Sequence, residues 1–107
     1  MTPAQFRKVA LSFPEVSESA HMNHPDFRVG GKIFASLGYP DEEHGMVVLP
    51  RDEQARLIKS HPKVFGAAKG AWGKQGSTTI RLAAIDAPAL RSTIEIAWRN
   101  KAPNDLN

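Results

Sequence analysis

The sequence has 107 residues, 41% of them apolar, with eight glycines and eight prolines, enough for one domain that buries a core without covalent staples. It has no cysteine, which excludes disulfides, iron–sulfur clusters and cysteine zinc sites, and its longest apolar runs, such as Met46 to Leu49, fall far short of the roughly 20 residues of a membrane span. The net charge of +3 conceals an asymmetry: residues 1–55 carry five Lys/Arg against eight Asp/Glu, residues 56–107 carry nine against three, and no acidic residue lies between Arg56 and Arg81. Such a run favours anionic partners, phosphate backbones first among them.

The N-terminus lacks a basic segment followed by an apolar run, so no signal peptide is expected and the default is a soluble cytoplasmic protein. Thr2, Pro3 and Gln5 form a helix-start signal with a Thr-x-x-Gln capping box. Phe6, Val9, Ala10 and Phe13 then recur at helical spacing until Pro14. Within Val16 to Asn23 lies a polar strand suited to a sheet edge.

Pro25 to Leu37 reads as a hairpin turned at Gly30-Gly31, since adjacent glycines supply the positive φ angles of a two-residue turn. Regular pairing across that turn sets Phe27 opposite Phe34 and Val29 opposite Lys32, placing Phe27, Val29 and Phe34 on a core face. A slip of one residue exchanges the faces, so Asp26 and Arg28 share the other face with Ile33, Ala35 and Leu37 only in this register. Gly31-Lys32 lacks the earlier glycine and following Ser/Thr of a phosphate loop.

An acidic turn, Asp41-Glu42-Glu43, precedes an interior strand at Met46 to Leu49. A helix from Arg51 or Asp52 to Ser60 follows, with Asp52 and Glu53 at its N-terminal dipole and Pro62 beyond its end. Pro62 to Ala71 is a short strand or a loop. Ser77 to Ala84 reads as a strand with Thr78, Ile80, Leu82 and Ala84 on one face. Asp86 caps a last helix whose buried stripe is Leu90, Ile94, Ala97 and Trp98, with Glu95 and Arg99 an exposed pair and Ala102-Pro103 its end. Residues 1–103 thus form a single domain, and 104–107 a frayed tail.

Three stretches carry chemistry-bearing residues. In His21-Met22-Asn23-His24-Pro25-Asp26 two histidines and a carboxylate lie close in sequence, but an extended chain turns residues three apart to opposite sides, which argues against a metal site. Serines lie in no Gly-x-Ser-x-Gly or Ser-x-x-Lys pattern, so the sequence offers no catalytic constellation and implies no cofactor. The third stretch, Gly66 to Gly76, interleaves glycines with Lys69, Trp72 and Lys74. Glycines let backbone approach a phosphate, lysines supply charge, and an aromatic ring stacks on a base or wedges into a groove. For Trp72 by itself, a ring folded back onto the core is the commoner outcome. Gly73 to Gly76 matches a GXXG loop, though a strand rather than a helix is expected after it.

Phe13-Pro14-Glu15-Val16 with Glu18, His24 to Ala35, Trp72-Gly73, Thr79 to Leu82 and Ala97 to Pro103 together resemble the MmcQ/YjbR family over nearly the whole chain. The resemblance implies a two-layer α+β fold, an antiparallel sheet against helices in the order α-β-β-β-α-β-β-α also used by secretion chaperones. It also implies a double-wing DNA-binding shape, without established binding residues. The resulting expectation is DNA binding, with phosphate contacts from Lys69, Lys74 and Arg81, Lys32 on a second hairpin tip, and Trp72 beside them. The alternative is a chaperone-like or adaptor module for an acidic protein partner.

Overall fold

The computed structural model describes residues 1–106. Helix α1 (Pro3–Leu11) starts as its capping box dictates: Thr2 Oγ1 accepts from the Gln5 amide at 3.1 Å and the Gln5 side chain accepts from the Thr2 amide at 2.7 Å. Strands β1 (Ser17–His21), β2 (His24–Val29), β3 (Lys32–Leu37) and β4 (His44–Val48) form a meander, followed by α2 (Arg51–Ser60), β5 (Phe65–Ala67), a one-turn helix α3 (Ala71–Lys74), β6 (Ser77–Arg81) and α4 (Ala87–Lys101). The six strands make one sheet, antiparallel at every pairing, in the order β1-β2-β3-β4-β6-β5.

Two layers result, as the α+β expectation requires; edge strand β1 and α3 are additions to the implied order of elements. Helices α1 and α4 pack together over β3 and β4, and α2 lies beside β5. The core between the layers holds Phe6, Phe27, Phe34, Val47, Ile80, Leu90 and Ile94, each no more than 0% exposed. Ala97 and Trp98 complete the α4 stripe, with the Trp98 indole N–H donating to the Pro14 carbonyl at 3.1 Å. Asp86 caps α4 by accepting from the Ala89 amide at 3.0 Å, and Arg99 pairs with Glu95 at 3.1 Å on the exposed side.

The β2–β3 hairpin departs from regular pairing. Val29 faces Lys32 across the Gly30-Gly31 turn, where both glycines have positive φ (58° and 77°), but Phe27 lies opposite Ala35, not Phe34. Phe34 is the extra residue of a β-bulge. A regular ladder alternates faces, so Phe34 and Ala35 could not both enter the core; the bulge turns both inward, and both are buried. Leu37 is likewise buried on the helix side, leaving Asp26, Arg28 and Ile33 to the opposite face.

Two other expectations change. Strand β6 stops at Arg81, and Leu82–Ala84 forms a 3₁₀ turn that leads the chain off the sheet towards the α4 cap, so Ala84 is exposed rather than on the core face. In the expected tail, Asn104–Leu106 makes a 3₁₀ turn with Leu106 half-buried against the core, while Asn107 lies outside the described residues.

Candidate functional site

With helices on one side only, the sheet keeps an open face. The strand register places Ser19, Asp26, Ser36, Met46, Thr79 and Gly66 in one row across it. Asp26 is the anomaly in that row, since its carboxylate is fully buried. A buried charge must be paired and hydrogen-bonded, and Asp26 is. Arg28 donates from Nε to Oδ1 at 2.8 Å and from a terminal nitrogen to Oδ2 at 3.1 Å, while His21 Nδ1 lies 2.8 Å from Oδ2. The Arg28 hydrogen bond holds the Asp26 carboxyl below the usual carboxylate range, overcoming the opposing effect of burial, and the His21 bond acts in the same direction.

An ionised Asp26 can only accept hydrogen bonds. When its ring is neutral, His21 therefore carries the proton on Nδ1 and presents Nε2 as an acceptor, on a side chain that remains 43% exposed. The β1–β2 turn makes this geometry. Met22 and Asn23 both take positive φ (49° and 68°), closing a two-residue turn that sets His21 directly opposite His24 with ring centroids 6.4 Å apart. The expectation that these rings diverge is thus corrected: a tight turn, not an extended chain, separates them. Among the described residues no three His, Cys, Asp or Glu side chains gather as a metal-ligand set.

At the other side of the face stands α3. Its position is fixed from beneath by Gln54 of α2, whose buried side-chain amide donates to the Gly73 carbonyl at 2.9 Å and the Ser77 carbonyl at 3.2 Å. Gly73 sits so close to the chain just after β5 that a Cβ there would come within 2.0 Å of the Ala68 carbonyl oxygen. Held this way, α3 presents Trp72 outward, 70% exposed. The core reading of Trp72 is therefore overturned: α3 is anchored by Gln54 and the close contact at Gly73, so the indole is free of the core.

Between the histidines and α3 a groove of about 490 Å³ opens over the sheet. Its apolar lining comes from Met22, Met46, Ala68 and Trp72. Its hydrogen-bonding groups are His21, His24, Ser36 and Tyr39, and among the described residues no Asp, Glu, Lys or Arg lines it. Small-molecule sites typically combine an apolar wall with a few convergent polar groups in about 300–1,000 Å³.

Charge is distributed along the strands. Val48 pairs with Ser77 and His44 with Arg81, so the β6 ends mark opposite ends of the sheet. Lys69 and Lys74 flank Trp72 at the Ser77 end, where the Arg51 guanidinium also donates to the Lys74 carbonyl. Lys32 lies at the same end, two strand spacings or roughly 10 Å from β6. Arg81 does not join them: four residue steps, roughly 13 Å, carry it to the end occupied by His44 and the acidic turn. There Asp41 accepts from His44 and from the Glu43 amide, contacts that hold its carboxyl below its ordinary range. Lys32, Lys69, Lys74 and Arg81 are all exposed, and none forms an ion pair among the described residues.

Sequence reasoning weighed His21 and Asp26 only as metal ligands, and it passed over Arg28, Gln54 and Met46 as site residues. One signal was available: a carboxylate leading into the alternating β-formers Phe27 and Val29, with a cation two residues on and so on the same face, needs a partner network if that face is covered. Nothing local marks Gln54, because its partners lie 19 and 23 residues away.

A family model described as YjbR matches residues 11–100. No curated protein matches the sequence significantly. Among solved structures, the crystal structure of Deinococcus radiodurans protein DR2400, with a domain described as DUF419, superposes with a TM-score of 0.72 at 15% identity, covering 98% of this chain and 84% of that one. At that identity the likeness is one of fold.

Proposed function

The chain belongs to the YjbR family, and from that premise we propose that it binds nucleic acid, with the backbone held by the Lys69–Lys74 loop and by Lys32 at the same end of the sheet. One observation carries the reading: Trp72, 70% exposed, stands on a rigidly anchored turn between two lysines that enter no ion pair among the described residues. An exposed indole costs hydration unless something covers it, and a lysine pair around an aromatic ring is the composition with which proteins grip a nucleic-acid strand. Separation of charge supports the same orientation. The acidic turn lies at the far end with Arg81, so an approaching polyanion is steered to the Trp72 end and Arg81 is left out of the contact.

A protein-partner role is the second reading, favoured by Met22, 87% exposed, on the rim of the same groove. Salt separates the two. Fluorescence anisotropy of labelled duplex and single-stranded DNA across a salt series should show affinity falling steeply with salt. The double variant Lys69→Ala, Lys74→Ala should reduce the slope of log affinity against log salt by roughly 2, because each lysine neutralises about one phosphate. Wild-type protein that binds neither DNA at about 50 mM salt, where non-specific phosphate contacts are strong, defeats the nucleic-acid reading.

A further inference from the structure

We infer that the groove over the open sheet face is a pocket for one unpaired base of a single-stranded nucleic acid, stacked on Trp72 and hydrogen-bonded by His21 Nε2. The inference rests on the nucleic-acid reading and adds to it the form of the ligand and the group that reads it.

The charge layout of the site is that of a nucleotide. Among the described residues no acidic side chain and no Lys or Arg lines the groove, while Lys69 and Lys74 flank Trp72 in the chain. A nucleotide likewise consists of a flat, uncharged heteroaromatic ring joined to an anionic phosphate. A base entering the groove leaves its phosphates at the lysines. About 490 Å³ is room enough for a ligand of this class. Stacking on an exposed aromatic demands an unpaired base, since a duplex hides the faces of its bases from such a ring.

His21 supplies what stacking lacks. Every base offers an N–H on its Watson–Crick edge or an exocyclic amine on it, or both. His21 Nε2 is an acceptor of fixed direction, because buried Asp26 holds the opposite ring nitrogen at 2.8 Å and Arg28 in turn holds Asp26. This chain of contacts has no role in gripping phosphate. Asp26 and Arg28 satisfy each other and, with His21, direct one lone pair over the sheet face. Trp72 acts as a stacking platform and His21 as a binding residue; Asp26 is a positioning residue.

The test compares two labelled single-stranded deoxyoligonucleotides of equal length and charge, one with bases and one abasic, by anisotropy on wild type, Trp72→Ala, His21→Phe and Asp26→Asn. The base-bearing strand should bind wild type about tenfold or more tightly than the abasic strand, in line with the stacking worth of one base. Trp72→Ala should erase that advantage without changing the salt slope, and its exposed position leaves folding intact. His21→Phe keeps a ring but removes the acceptor, so it should reduce differences among homopolymeric strands while retaining most of the stacking advantage. Binding of a duplex of the same sequence should be unaffected by Trp72→Ala, since its bases are not free to stack. Equal binding of both single strands, with the lysine-dependent salt slope intact, overturns the base pocket and leaves the phosphate reading standing. Failure of both strands to bind overturns both.

Discussion

Replacing Asp26 by Asn changes one oxygen to an amide in a site where two donors converge. If the remaining oxygen takes the Oδ2 place it accepts from His21 Nδ1 and the Arg28 terminal nitrogen, but the new NH₂ meets Arg28 Nε head-on. Reversed, the NH₂ meets the Arg28 terminal nitrogen and obliges the His21 ring to move its proton to Nε2. Charged hydrogen bonds are worth about 1.5–3 kcal/mol each, and the carboxylate that makes them is fully buried. Arg28 and His21 side chains are 35% and 43% exposed and recover part of the loss from water. A net destabilisation of about 2–3 kcal/mol at pH 7 follows, which lowers the Tm of a domain this size by about 10 °C. The pH dependence identifies the cause. Asp26 has a folded pKa below its unfolded value, so its ionisation stabilises the native state above the unfolded pKa, and that stability is lost as pH falls through the folded one. Thermal melts of wild type and Asp26→Asn should therefore differ by a constant amount near neutrality and converge below about pH 4. Asp41 titrates alike in both proteins and cancels in the difference. Equal Tm values at pH 7, or a gap that persists undiminished into acid, would refute the ion-pair account of this face.

Phe34→Ala should cost about 3–5 kcal/mol in chemical denaturation, since the ring at the bulge is wholly buried and its loss leaves a cavity; an unchanged midpoint would contradict the bulged register. Asp86→Ala should lose about 1 kcal/mol with the α4 cap, while Glu95→Ala, one half of an exposed i, i+4 pair, should change stability by no more than about 0.5 kcal/mol. Equal effects at the two positions would remove the cap from the account.

The helices were legible because their signals are local. Thr2 with Gln5, and Asp86 with Ala89, lie within three residues of each other, and the α4 stripe follows from a fixed angular repeat. The two-layer arrangement followed from the resemblance carried by the hairpin and the C-terminal helix. What the sequence concealed depends on partners that meet only after folding. Whether Phe34 pairs or bulges is decided by the space beneath α4, and whether Trp72 is core or surface is decided by Gln54, on a different helix. The basic run from Arg56 to Arg81 had the same limit: a linear string of like charges does not reveal that a strand carries its last member to the opposite end of the sheet. The His21–Asp26 stretch stood out in the sequence, but the contact within it did not, because it needs two consecutive non-glycine residues at positive φ, a conformation that Met disfavours.

The Gln54 tether separates what holds the α3 segment from what the segment displays. Its anchors are the two carbonyls bound by Gln54 and the close packing at Gly73, whereas residues 69–72 and Lys74 take no part in that attachment through their side chains. Substitution among the displayed positions leaves the scaffold in place. Preference for a ligand can then drift among related chains at constant architecture, with variation concentrated on the presented residues and restraint at Gln54 and Gly73. The same division makes the segment a place to graft new recognition, since a library confined to the displayed side chains leaves the sheet and its bulge undisturbed.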